Sequence, residues 1–134
     1  MSPHKSIKVA IADDHAGFVE GIDTVLKFLP DIDLIIKADN GAHLLHLIEN
    51  NLPDVILLDL NMPVMDGVST LRELKKLYPA VKVVILTMNL DSSVMYDVIK
   101  MGANAYLLKS AELHIITNTI RECSKHDRFV RLVA

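Results

Sequence analysis

The 134-residue sequence has no tryptophan and one cysteine, and its aromatic residues amount to only 4%. A single thiol, Cys123, excludes an intramolecular disulfide and a cysteine metal cluster, and it fits a reducing, cytoplasmic setting. With so few rings the core has to be aliphatic. Material for it is plentiful, because hydrophobic residues make up 51% of the chain, far more than a disordered segment carries. Long apolar runs are missing. The longest, such as Val55–Leu58 and Val83–Leu86, fall well short of the roughly 18 residues of a membrane helix, so no membrane partner is expected. The N-terminus carries His4, Lys5 and Lys8 but no apolar stretch, so no signal peptide is expected either. Positive charge is not in excess: 14 Lys and Arg against 17 Asp and Glu leave a formal net charge of −3. That balance argues against this chain alone gripping nucleic acid.

Five short β-branched and aliphatic runs are present: Ile7–Ala12, Leu34–Ala38, Val55–Leu58, Val81–Leu86 and Ala105–Leu108. Each is nearly continuous rather than alternating, the pattern of strands buried on both faces of a parallel sheet. Stretches of helical period lie between and after them. Phe18, Ile22, Val25, Leu26 and Leu29 form one apolar stripe; Leu44, Leu45 and Ile48 a second; Val68, Leu71, Leu74 and Leu77 a third. Val94, Val98, Ile99 and Met101 form a weaker fourth, and Leu113, Ile116, Ile120 and Cys123 the fifth. N-caps are available at Asp39 or Asn40, at Asp66, at Asp91 or Ser92, and at Ser110. Gly102 stands where the fourth helix needs a left-handed end. The expected fold is α/β: five β-α units making a three-layer sandwich around a parallel five-stranded sheet. The length suits one domain, and the basic tail after Ser124 is expected to continue the last helix or begin a linker.

In such a sheet, ligands bind beyond the carboxyl ends of the strands. The first strand ends in Asp13-Asp14-His15, the third in Asp59-Leu60-Asn61, the fourth in Thr87 and the fifth in Lys109. Three carboxylates, a hydroxyl and an ammonium therefore converge on one rim. Crowded carboxylates must take up a proton or a cation. A hard divalent ion such as Mg²⁺, with oxygen ligands and open positions for phosphate, is the natural answer. The set is suited to receive a phosphoryl group on a carboxylate, its charge met by metal and lysine. Other phosphate chemistries fit worse. No Gly-rich P-loop follows the first strand, and Asp13 and Asp14 would repel an FMN phosphate. A haloacid-dehalogenase-type phosphatase carries a second Asp where Asn61 stands.

Four stretches in order resemble the receiver domain of two-component response regulators over residues 7–123: Ile11-Ala-Asp-Asp-His15, Val55-Ile-Leu-Leu-Asp-Leu-Asn-Met-Pro-Val-Met-Asp-Gly67, Val84-Ile-Leu-Thr87 and Gly102-Ala-Asn-Ala-Tyr-Leu-Leu-Lys109. The first and last are similar to the subfamily whose receivers precede a LuxR-type helix-turn-helix. The resemblance implies a flavodoxin-like, doubly wound (βα)5 fold with strand order 2-1-3-4-5. It implies a receiver domain over 1–126 and, over 127–134, a tail or the start of a linker to an output domain. It implies a phospho-accepting switch that assists its own phosphorylation and dephosphorylation, rather than a turnover enzyme. Asp59 would take the phosphoryl group from a sensor histidine kinase. Asp13, Asp14, Asp59 and the backbone carbonyl of Asn61 would hold Mg²⁺. Lys109 would contact the phosphoryl group, Thr87 would move towards it, and Tyr106 would turn inward behind Thr87. The face of the fourth helix, fifth strand and fifth helix would then bind a twin receiver or release an output domain. DNA would be reached only through that output domain. The alternatives are a degenerate receiver serving as an interaction module, and a small phosphatase.

Two positions depart from the pattern. Met88 replaces a small residue after Thr87 and is expected to shield the phosphate's approach. Ser110 follows Lys109 where many receivers have a proline with a cis bond, a geometry costly before serine. His43 and His46 read as solvated helix residues, His15 as a rim residue, Met62 and Met65 as packing, and Cys123 as core.

Overall fold

All five expected strands form: β1 (Ile7–Ala12), β2 (Ile32–Ala38), β3 (Val55–Asp59), β4 (Lys82–Thr87) and β5 (Ala105–Leu108). They alternate with α1 (Ala16–Leu26), α2 (Gly41–Ile48), α3 (Gly67–Leu77), α4 (Ser92–Lys100) and α5 (Leu113–Lys125). The computed structural model describes residues 6–126 and 131–133. The strands are all parallel, in the order β2-β1-β3-β4-β5, the expected flavodoxin-like winding. A sixth strand, β6 (Arg131–Val133), extends the sheet beyond β5. The tail after Ser124 is expected as helix or linker, and residues 131–133 are neither. Three residues carry too little periodicity to announce a strand. Of the tail, residues 127–130 and 134 lie outside the described residues.

The three central strands are buried along their whole length or nearly so, which is why they read as unbroken apolar runs. β2 begins two residues earlier than its apolar run because Ile32-Asp33 alternates in and out, as one-sided strands do. A bulge between Val9 and Ala10 accommodates the extra residue of β2. One side of the sheet packs Val19, Ile22 and Leu26 of α1 with Ile116, Ile120 and Cys123 of α5. The other packs Leu44 and Ile48 of α2, Leu71 and Leu74 of α3, and Val98 of α4. α4 buries only Val98, which matches its weak stripe. Burial pushes the Cys123 thiol up to about 11, so it behaves as a small core residue.

Asn40 caps α2 by accepting from the His43 amide, Asp66 caps α3 from Ser69, and Asp91 caps α4 from Ser93 and Val94. Ser110 does not cap α5. That helix starts at Leu113 behind Glu112, which makes no side-chain cap. Gly102 adopts φ +109°, the left-handed end expected of it. No described peptide bond is cis, so the Lys109–Ser110 link is trans.

Candidate functional site

The strand ends place the acidic and basic residues together. The Asp13 amide donates to the Ala38 carbonyl at 2.9 Å, which holds the residue at the tip of β1. Asp13 Oδ1 accepts from the His15 amide at 2.9 Å and turns the chain into α1. The Lys109 amide donates to the Thr87 carbonyl at 2.8 Å, so the two residues sit on adjacent strand ends. Asp59 ends β3, and its Oδ1 accepts from the Asn61 amide at 3.3 Å. Gly67 is required behind it. A Cβ there would run into the Asp59 carbonyl and stand 2.6 Å from Leu60 Cα, while the Gly67 amide donates to the Leu60 carbonyl at 2.9 Å. α3 thus starts pressed against the backbone of the Asp59 loop.

Asp13, Asp59, Thr87 and Lys109 are buried, whereas Asp14 and Asn61 are exposed. Lys109 Nζ lies 2.7 Å from Asp13 Oδ2 and 3.4 Å from Asp59 Oδ2. One ammonium faces three carboxylates, so negative charge is left over. Burial first, and then the neighbouring Asp13 charge, raise the Asp59 carboxyl above its ordinary value of 3.8. One carboxylate oxygen each from Asp13, Asp14 and Asp59 lie within 4.8 Å of one another. Asp13 Oδ2 is buried and, despite its ion pair, makes no well-aligned hydrogen bond. Clustered hard oxygens, an excess of negative charge and an under-satisfied buried oxygen fit a divalent cation such as Mg²⁺.

Behind this cluster lies a cavity lined by Asn61, Asp66, Thr87, Asn89, Asp91 and Tyr106 among others. Thr87 Oγ1 donates to the Asn89 carbonyl at 3.0 Å. Tyr106 is only 1% exposed, and its hydroxyl has no hydrogen-bond partner. Its inward position is therefore already taken up here, and no inward turn from solvent is left to make. Met88 is 62% exposed and is not among the cavity residues, whereas Asn89 is. His43 is exposed beside Asp39, with 3.2 Å between Nδ1 and Oδ1.

Two features escaped sequence reading. Phe18, read as part of the α1 stripe, has its ring 5.2 Å from Lys109 Nζ. Val64 adopts φ +69° in the loop after Asp59. A valine gives no sign of that conformation, which favours Gly or Asn.

Residues 9–121 match the response regulator receiver domain family. The chain belongs to that family. Its relatives include the transcriptional regulatory protein DegU of Brevibacillus brevis, 34% identical over 124 residues, or 92% of this chain and 52% of the relative. LiaR of Bacillus subtilis is 36% identical over 119 residues, 89% of this chain and 56% of the relative. The chain thus spans about half the length of the curated relatives it matches. Among solved structures, the signal receiver domain of NarL from Mycobacterium tuberculosis superposes with a TM-score of 0.84 at 31% identity, covering 90% of this chain and 98% of that one. A LuxR-family DNA-binding response regulator from Staphylococcus aureus gives a TM-score of 0.82 at 27% identity, covering 88% and 98%. Receiver domains of this family are phospho-accepting switches of two-component signalling, and the Staphylococcus aureus neighbour is of the LuxR family. Among the described residues no helix is long and apolar enough to cross a membrane.

Proposed function

We propose that this receiver accepts a phosphoryl group on Asp59 from a phosphohistidine of a sensor histidine kinase. The observation that carries the reading is the burial of Asp59 beside one ammonium and two further carboxylates. An Asp59 oxygen attacks phosphorus, the P–O bond forms as the P–N bond breaks, and the electron pair returns to the imidazole nitrogen. Asp13, Asp14, Asp59 and the backbone carbonyl of Asn61 would hold Mg²⁺. Bound there, the ion would supply positive charge to the transferring phosphoryl oxygens. Lys109 reaches both Asp13 and Asp59 and is placed to pair with a phosphoryl oxygen. Thr87 can redirect its hydroxyl from Asn89 to the phosphoryl group. The Asn89 carbonyl would then lose its donor, and the unpartnered Tyr106 hydroxyl stands in the same cavity to replace it.

Tyr106 lies on β5, so this exchange acts on the face made by α4, β5 and α5. β6 pairs along the free edge of β5, with Leu132 opposite Tyr106. A twin receiver docking on that face would share the edge with β6. On this reading residues 1–126 would make up the receiver domain, and 127–134 would be a C-terminal tail or the start of a linker to an output domain. By likeness to its relatives, the whole protein would be a cytoplasmic transcription regulator that meets DNA through that domain. Acetyl phosphate with Mg²⁺ tests the reading. A single phosphoryl adduct, lost in Asp59→Asn, is expected by mass spectrometry. No adduct would indicate an interaction module, and continuous turnover of the donor a phosphatase.

A further inference from the structure

We infer that Phe18 is a positioning residue for the phosphoryl-binding lysine: its ring holds the Lys109 ammonium against Asp13 and Asp59 and shuts water out from the α1 side. The inference rests on the reading of Lys109 as the phosphoryl contact. Phe18 sits in the first turn of α1, half-buried, and packs on the α1–α5 side of the sheet together with Ala111. Lys109 Nζ lies over its ring, 5.2 Å from the centroid, within the range of a cation–π contact. The lysine side chain is only 5% exposed. An ammonium so far withdrawn from water needs partners in several directions. Carboxylates supply two, at 2.7 and 3.4 Å, and the Phe18 face supplies another. The backbone of Lys109 is fixed by its bond to the Thr87 carbonyl, but a four-carbon stem leaves Nζ free to wander unless its surroundings confine it. An aliphatic side chain at position 18 would fill part of the volume. It would offer no negative face to the ammonium.

The two ligands of the site separate the effect. Mg²⁺ would contact the carboxylates and not Lys109, and a looser Lys109 leaves those carboxylates at least as negative, so a residue acting through Lys109 should support phosphoryl affinity without supporting metal affinity. Beryllofluoride, an aspartyl-phosphate mimic, provides the probe. In Phe18→Leu the affinity for beryllofluoride at saturating Mg²⁺ should fall by roughly threefold to tenfold, the range a partly desolvated cation–π contact supplies. Its Mg²⁺ affinity without beryllofluoride should not fall below that of the wild type. Phe18→Tyr, which keeps the ring, should restore beryllofluoride binding. Titrations followed by amide shifts or calorimetry read all three proteins. Equal loss of Mg²⁺ and beryllofluoride affinity in Phe18→Leu would show general loosening and overturn the inference. So would an unchanged beryllofluoride affinity, or a Phe18→Tyr variant as weak as Phe18→Leu. Wild-type protein that binds Mg²⁺ but no beryllofluoride would overturn the receiver chemistry itself, and the role of Phe18 with it.

Discussion

Lys109 is paired with Asp13: its Nζ lies 2.7 Å from Asp13 Oδ2, with 5% and 1% of the two side chains exposed. The same carboxylate belongs to the cluster suited to a metal. The lysine therefore has two opposed effects. It neutralises charge that a cation would otherwise neutralise, and it stands ready to meet a phosphoryl oxygen. Removing it should separate the two. Lys109→Met is expected to bind Mg²⁺ several-fold more tightly than the wild type, because three carboxylates would then face no internal cation. The same variant should bind beryllofluoride poorly. Calorimetric titration of each ligand checks this, and weaker Mg²⁺ binding in the variant would contradict it.

Asp59 gives a pH signature. Its carboxyl is raised above 3.8 in the fold by burial and by Asp13. The native state thus holds the proton more readily than the unfolded chain does. This group's destabilising effect is absent below the unfolded value. It grows as pH rises towards the raised folded value and is complete above it. Without Mg²⁺, Asp59→Asn should therefore melt above the wild type at pH 7. The gap should narrow as pH falls through that window. Thermal melts of both proteins across pH 4 to 8 read it. A gap that widens on acidification would reverse the sign assigned to Asp59.

Val64 stores strain in the loop after Asp59. Its φ is +69°, and the Met65 amide donates to the Pro63 carbonyl at 2.7 Å across it, closing a γ-turn. A β-branched residue pays for that conformation, and at 86% exposure it gains no packing in return. Val64→Gly should relieve the strain at the cost of greater freedom in the unfolded chain. A net gain of about 1 kcal/mol is expected, or a rise of a few degrees in Tm. A lower Tm would show that the turn is not strained.

How far the sequence carried the fold depended on how completely each element is buried. β1 from Val9 on, β3 and β4 are enclosed on both faces, and their apolar runs located them to within a residue. β2, one-sided at its start, hid Ile32 and Asp33 behind an alternation too short to read. β6 pairs on one side only and left no signal. The site was legible because the strand ends dictate where Asp13, Asp59, Thr87 and Lys109 must meet. The contact of Phe18 with Lys109 was not, because it depends on a rotamer and on the tilt of α1. The cap of α5 was misplaced to Ser110 because a serine before a helix is a strong local signal. The turn after β5 uses it otherwise, with the Ala111 amide donating to the Leu108 carbonyl.

The last prediction concerns how the signal leaves the site. Thr87 Oγ1 gives its hydrogen bond to the Asn89 carbonyl, while the Tyr106 hydroxyl, buried in the same cavity, has none. An unpartnered buried hydroxyl costs about 1–3 kcal/mol. Phosphorylation adds nearly two negative charges beside Thr87 and should draw its hydroxyl away. The freed Asn89 carbonyl and the Tyr106 hydroxyl can then satisfy each other, and that gain biases the loop leading into α4. Tyr106→Phe should consequently leave the resting protein as stable as the wild type or up to about 1 kcal/mol more stable, since it deletes an unsatisfied group. Beryllofluoride should still bind it, but the amide shift changes across residues about 88–122 should shrink. Thr87→Ala should likewise accept the phosphoryl group and lose most of those distant changes. Heteronuclear spectra with and without beryllofluoride read both variants. A full set of distant shifts in either would break the link from Thr87 through Asn89 to Tyr106.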